Sequence, residues 1–215
     1  MKKITALVLF VLGIVICPAL SRAGEYPWQL KVNKEGIAVS TRKVEASPIL
    51  EYKGSVVVDA PIEKVTALYE DEKQIPLWFY QCVDSQLVAD EGAGTKVFYF
   101  VIHPPWPVAE RDTVYRSVKS INAASGQVTY ILSALPDRLP PHKGRVRVTY
   151  LKTVWHFTPL PDGKTEIDVQ QHSDAGGSIP KFLVNEMAVD IPYNSLKNLR
   201  NMLLPEKGSN QKVNN

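Results

Sequence analysis

The stretch from Asp174 to Leu203 constrains the fold of this chain more than any other. Ala175-Gly176-Gly177-Ser178 interrupts a strand pattern, and Pro180 suits the first turn of a helix, where its missing N–H costs nothing. Phe182, Val189, Leu196 and Leu203 then recur every seven residues, and Val184, Met187, Ala188, Ile191 and Leu199 widen that line into an apolar face. Lys181, Glu186, Asp190, Lys197 and Arg200 fall mostly elsewhere around the helix. One long amphipathic helix closing a strand-rich chain needs a surface to cover, and the sheet is the only candidate. Two arrangements satisfy it: a helix packed on a solid core, or a helix lying over a cavity. Pro192 falls inside the helix, where it removes one backbone hydrogen bond and predicts a kink near Ala188. Such a kink is either a hinge or a static bend.

The opposite end of the chain carries an address. Met1-Lys2-Lys3, the uncharged run Ile4 to Ile16 and Ser21-Arg22-Ala23 follow the order of a basic region, an apolar region and a small-x-small cleavage signal. Thirteen apolar residues are short for a membrane span. Residues 1–23 are therefore predicted to be a cleaved export signal leading to the periplasm or to secretion. A lipid attached to Cys17 is the competing reading, against which Ile14-Val15-Ile16 offers no small residue. Cleavage removes Lys2, Lys3 and Arg22 and no acid, which takes the formal charge from +3 to zero. A neutral chain gives no electrostatic reason to expect nucleic acid as a partner. Only Cys82 survives, so no intrachain disulfide can form, and its neighbours Phe79, Tyr80 and Val83 mark it as a buried, inert thiol. Roughly 190 residues remain, enough for one domain with a sizeable core and short for two. Residues 24–204 are read as that domain and 205–215 as a polar, flexible tail.

Between these ends the pattern is mostly strand. Tyr26 to Val32 is a short opening segment, Ile37 to Val44 and Ile49 to Val58 are strands, and Asp59 can cap a helix that starts at Pro61 and ends near Glu70. Gln74 to Tyr80 is dense in aromatics and reads as a short helix or turn. Strands then follow at Gln81–Ala89, Thr95–His103, Asp112–Asn122, Gln127–Leu135, Arg145–Tyr150, Thr153–Thr158 and Thr165–Ser173, joined by turn-forming residues. Short turns at such spacing imply a mostly antiparallel meander. Three inward faces stay apolar: Phe98, Phe100 and Ile102; Val128, Tyr130 and Leu132; and Val146, Val148 and Tyr150. Any half-buried sheet alternates in this way; the rings of Trp78, Phe79, Tyr80, Trp106, Tyr115 and Phe182 favour a hollow over a filled core.

The residues also resemble a known family. Trp28 with Glu35-Gly36-Ile37-Ala38-Val39, Asp59-Ala60-Pro61 opening a helix, Trp78, Trp106-Pro107-Val108-Ala109-Glu110-Arg111-Asp112, Arg145-Val146-Arg147-Val148, and Asp174 to Lys181 with Asn185 follow the order seen in steroidogenic acute regulatory-related lipid-transfer (START) domains. The resemblance covers about Trp28 to Leu203 and implies an α+β, helix-grip fold: a curved antiparallel sheet wrapped around a long C-terminal helix, enclosing a tunnel for one hydrophobic ligand. It implies a carrier of a lipid or sterol-like molecule that touches membranes transiently, acts as a monomer, and needs no cofactor or metal. It places a gate between the final helix and the loop Pro104–Glu110. Several relatives hold a buried arginine–carboxylate pair in the tunnel; the corresponding positions here are Ser117 and Phe98, so the polar anchors expected instead are Tyr115, Ser117 and Gln171. Arg111 and Asp112 are expected to pair structurally at the start of their strand. The predicted cavity and gate residues are thus Trp78, Phe98, Phe100, Trp106, Tyr115, Ser117, Val148, Gln171, Phe182 and Met187.

Two other function classes compete. The same superfold hosts polyketide cyclases and aromatases, for which His156 or Tyr115 would be the polar group. However, no His-Glu-x-x-His, Cys-x-x-Cys, Gly-x-Ser-x-Gly or phosphate-binding glycine loop is present. The four histidines are scattered, with His156 expected to pair near Val169, and are poorly placed as joint metal ligands. The third class is a periplasmic chaperone or adaptor that lays protein segments in the groove.

Overall fold

The computed structural model describes residues 26–204 except 46, 178 and 180; the predicted leader with Cys17, the turn residues Ser178 and Pro180, and the tail 205–215 lie outside the described residues. The chain forms β1 (Gln29–Lys34), β2 (Ile37–Val44), β3 (Ser47–Val58), α1 (Ile62–Glu70), α2 (Ile75–Trp78), β4 (Cys82–Gly92) and β5 (Thr95–Ile102). Then follow β6 (Arg111–Ile121), β7 (Val128–Ala134), β8 (Val146–Arg147), β9 (Tyr150–Pro159), β10 (Thr165–Asp174) and α3 (Lys181–Leu203). The strands make one sheet in the order β1-β2-β3-β10-β9-β7-β6-β5-β4, with β8 paired to β6 off that path. The expected meander is present, but β10 inserts between β3 and β9, so the chain's last strand joins the opening hairpins to the long run.

Several local expectations change. The opening segment is itself an edge strand, β1, because Lys34, Glu35 and Gly36 turn it back onto β2, with Glu35 and Gly36 at positive φ. Asp59 does not cap α1; Pro61 occupies the cap position in extended geometry without a side-chain bond, and its carbonyl accepts from the N–H groups of Lys64 and Val65. The strand expected over Arg145–Tyr150 is reduced to the two residues of β8, which run parallel to Arg111 and Asp112 where β7 no longer covers β6. Val146, Val148 and Tyr150 consequently do not share one face: Val148 is buried, while Tyr150 begins β9 and is exposed. The expected pairing of His156 near Val169 holds: His156 stands opposite Asp168, and Trp155 opposite Val169.

The helix expected at the end of the chain answers both of its possible arrangements, one with each half. Its C-terminal half is docked on a solid core, with Leu196, Leu199 and Leu203 buried beside Ile37, Val39, Val56 and Val58 of β2 and β3. Gly54 of β3 allows this close approach: a side-chain carbon there would lie 2.8 Å from Leu196 Cδ1 and 3.4 Å from Pro192 Cβ. The N-terminal half is covered far less; of its apolar residues only Ala188 is buried, and Phe182 is exposed. Tyr69 of α1 and Trp78 of α2 close the interior on another side, in ring contact with each other and with Trp155.

Candidate functional site

A cavity of about 200 Å³ lies between the sheet and the N-terminal half of α3. Packed interiors hold few voids larger than a water, and one water needs roughly 10–15 Å³ on this scale. The interior is therefore hollow rather than imperfectly filled. Its wall draws on β3, β5, β6, β7, β9 and β10, on Tyr69 of α1, on α2, and on Val184, Met187, Ala188 and Ile191 of α3. In the sheet order β3 and β5 stand five strand spacings apart, about 24 Å if the sheet were flat. Sharing one cavity under one helix requires the sheet to curl.

Of the ten predicted residues, Trp78, Phe98, Phe100, Tyr115, Ser117, Val148, Gln171 and Met187 line this cavity. Trp106 and Phe182 do not: they are 92% and 63% exposed, respectively. Both belong to segments expected to form the gate, and the structure turns both side chains outward. Phe98 and Tyr115 face each other across β5 and β6 and stack with ring centroids 5.4 Å apart, and Phe79 meets Phe100 edge-on at 4.9 Å. These rings make the wall continuous from α2 to β6.

Several polar groups on the wall are satisfied within the protein. Thr153 Oγ1 donates to Gln171 Oε1 at 2.9 Å, so part of the Gln171 amide is already engaged. Burial raises the Tyr115 hydroxyl well above its ordinary pKa, which keeps it a neutral donor and acceptor. Where β5 begins and β6 ends, Glu70 accepts from Lys119 Nζ at 2.6 Å and from the Tyr130 hydroxyl. Burial acts to raise the Glu70 pKa, and those two donors outweigh it and hold the carboxyl below its ordinary value.

Arg111 and Asp112 are not the pair expected. Alternation along β6 sends them to opposite faces: Asp112 is bound by Arg147 at 2.8 Å, whereas Arg111 lines the cavity. Sequence reasoning missed Arg111 as a cavity residue, although the inward positions Thr113, Tyr115 and Ser117, each two apart, already implied its direction. Cys82 is buried as expected, and burial pushes its thiol up to about 12. Of the two groups named for a cyclase, Tyr115 lines the cavity and His156 does not; its ring Nδ1 lies 2.9 Å from Thr129 Oγ1. No cluster of three potential metal ligands occurs among the described residues.

This architecture has known counterparts. A family model described as START domain matches residues 20–203. An uncharacterized protein of Pseudomonas aeruginosa is 35% identical over 190 residues, covering 88% of this chain and 93% of that protein. The phosphatidylcholine transfer protein of Bos taurus is 26% identical over 188 residues, 85% of each chain. Among solved structures, a STAR-related lipid transfer protein from Xanthomonas axonopodis superposes with a TM-score of 0.76 at 35% identity, covering 82% of this chain and 98% of that one. Human StAR-related lipid transfer protein 5 shares the fold, with a TM-score of 0.75 at 19% identity over 82% of this chain and 86% of its own. The family match spans most of the sequence and agrees with the sheet and helix already described, so the resemblance carried by the sequence motifs holds: the chain belongs to the START domain family.

Proposed function

We propose that this protein binds a single hydrophobic ligand, a lipid or sterol-like molecule, in the cavity beneath α3, and carries it between membrane surfaces. The observation that carries this reading is the curled sheet holding an aromatic-walled cavity closed by the loosely covered half of one helix. Apolar lining with a few placed polar groups is the usual make-up of a small-molecule site, and the lipid-transfer names of the relatives agree with it.

In this reading the N-terminal half of α3 is the lid, Pro192 is its hinge, and the anchored C-terminal half stays in place. The loop between β5 and β6 is the opposite lip of the gate. Trp106 and Phe182, outward on those two segments, are the membrane contact; interfacial aromatics suit that role because one edge of the ring remains in water. Export by residues 1–23 puts the carrier, a monomer, in the periplasm or outside the cell. The competing cyclase reading has Tyr115 on the wall but no imidazole among the described residues that line it.

Native mass spectrometry of the purified protein, with organic extraction of whatever accompanies it, is the test. A stoichiometric lipid supports the carrier. A protein that comes empty and takes up no fluorescent lipid or sterol would return the cyclase and adaptor readings to the front.

A further inference from the structure

The inner face of β6 presents Arg111, Thr113, Tyr115, Ser117 and Lys119 to the cavity in alternate positions. The strand therefore sets one cation at each end of the wall. The two are treated very differently. Lys119 is matched by Glu70 at 2.6 Å. Arg111 is only 2% exposed, makes no ion pair among the described residues, and has an Nε that meets no acceptor. Its one side-chain hydrogen bond among the described residues runs from Nη1 to the Ala109 carbonyl. The nearby acids are already engaged: Asp112 with Arg147 on the far face, and Glu110 with Arg145 at 2.9 Å and His103 at 3.0 Å.

A guanidinium stays charged in proteins, and a buried charge without a partner is strongly unfavourable. Burial also draws the Arg111 pKa below the usual arginine value, the direction expected of a cation short of counter-charge. A second observation points the same way. Two residues of the cavity wall carry a buried side-chain atom with no partner, Trp78 Nε1 and Arg111 Nε, and both atoms are donors. The occupant must bring acceptors. The guanidinium fork suits a planar or tetrahedral oxyanion, which it can hold with two parallel bonds. Arg111 also sits beneath the turn that leads into the lid: a side-chain carbon on Gly177 would lie 4.0 Å from its Nη2.

We propose that Arg111 is the anchor for an oxyanion of the bound lipid, a phosphate or a carboxylate, held where β6 begins and under the turn into α3. This rests on the carrier reading and narrows its ligand class: neutral lipids leave Arg111 unmatched, and oxyanion lipids do not.

The test compares uptake by the full chain from vesicles containing one of three fluorescent probes of equal acyl length: phosphatidylcholine, a fatty acid, and diacylglycerol. Wild type is expected to prefer phosphatidylcholine or the fatty acid to diacylglycerol. The arm that responds tells phosphate from carboxylate, and either supports the site. Arg111→Met should weaken that preferred probe about tenfold to a hundredfold, the scale of a charge-assisted bond, and change diacylglycerol uptake far less. It should also leave the ligand-free protein at least as resistant to heat, because an unmatched charge has been removed. Arg111→Lys keeps the charge but loses the fork, and should fall about tenfold; it carries the test if the methionine variant does not fold. Wild-type uptake of the oxyanion probes by a folded Arg111 variant, or a wild-type preference for diacylglycerol, overturns the anchor and leaves the carrier standing. Failure of wild type to take up any of the three overturns the carrier reading, and the anchor with it.

Discussion

Arg147 grips Asp112 with both arms of its guanidinium, Nε to Oδ1 at 3.0 Å and Nη2 to Oδ2 at 2.8 Å, on the face of β6 turned away from the cavity. The same arginine donates to the carbonyls of Pro136, Leu139 and Pro140, and Tyr99 adds a hydroxyl donor to Asp112 at 3.2 Å. The pair therefore fastens the long loop after β7 to the strand whose other face forms the cavity wall. Removing one partner of a buried pair leaves the other uncompensated, at a cost of about 3–5 kcal/mol. Asp112→Asn is expected to lower the denaturation midpoint accordingly. The pH dependence follows with a definite sign. Burial acts to raise the Asp112 pKa, but the bonds from Arg147 hold it below its ordinary value. The stability it contributes is thus complete above the ordinary aspartate pKa and is lost as pH falls through the depressed one. Denaturant midpoints between about pH 5 and pH 2 should fall more steeply for wild type than for Asp112→Asn; equal slopes would show that the pair contributes nothing.

Gly54 tests how closely the anchored half of α3 must sit. With Leu196 Cδ1 only 2.8 Å from the place of a side-chain carbon, a branched residue forces the helix outward. Gly54→Val should destabilise by about 1–3 kcal/mol, the range for overpacking a filled core, and Gly54→Ala by less. An unchanged melting temperature for the valine variant would show that the helix slides freely on β3.

The cavity wall is testable without knowing the ligand. Phe100 and Val148 both line it, on β5 and just after β8. Phe100→Arg or Val148→Arg should abolish uptake of fluorescent lipid, because the new charge is buried where an acyl chain belongs. Circular dichroism separates this from unfolding. A folded variant that still loads normally would move the ligand elsewhere.

Trp106 and Phe182 give the membrane prediction. Trp106→Ala and Phe182→Ala remove side chains that are mostly in water, so stability should change by no more than about 0.5 kcal/mol. Transfer from donor to acceptor vesicles should slow several-fold while the amount of ligand bound stays the same. If residues 1–23 are removed as proposed, the chain has zero net charge and vesicle binding should depend weakly on salt; a steep loss between low and moderate salt would assign the contact to charge instead.

Much of this architecture is legible along the chain because it follows from local chemistry. The seven-residue recurrence from Phe182 to Leu203 specifies a helix, alternating runs such as Phe98, Phe100 and Ile102 specify strands, and glycine and proline clusters mark the turns between them. The inward face of a strand is set by parity, which made Phe98, Phe100, Tyr115, Ser117 and Gln171 legible as wall residues, while Trp78, Val148 and Met187 reach the same wall from outside the strands. Parity also separates Arg111 from Asp112, which pairing them by adjacency overlooked. Tertiary structure alone decided where local patterns stop agreeing with burial. Phe182 and Leu196 belong to one apolar line of α3, yet one is exposed and the other buried, because β2 and β3 support only the C-terminal half of the helix. The partner of Asp112 lies 35 residues away on a strand only two residues long, too short to leave a periodic signal. Whether a buried cation is matched depends on every acid that the fold brings near it, and the sequence order of those acids does not contain that answer.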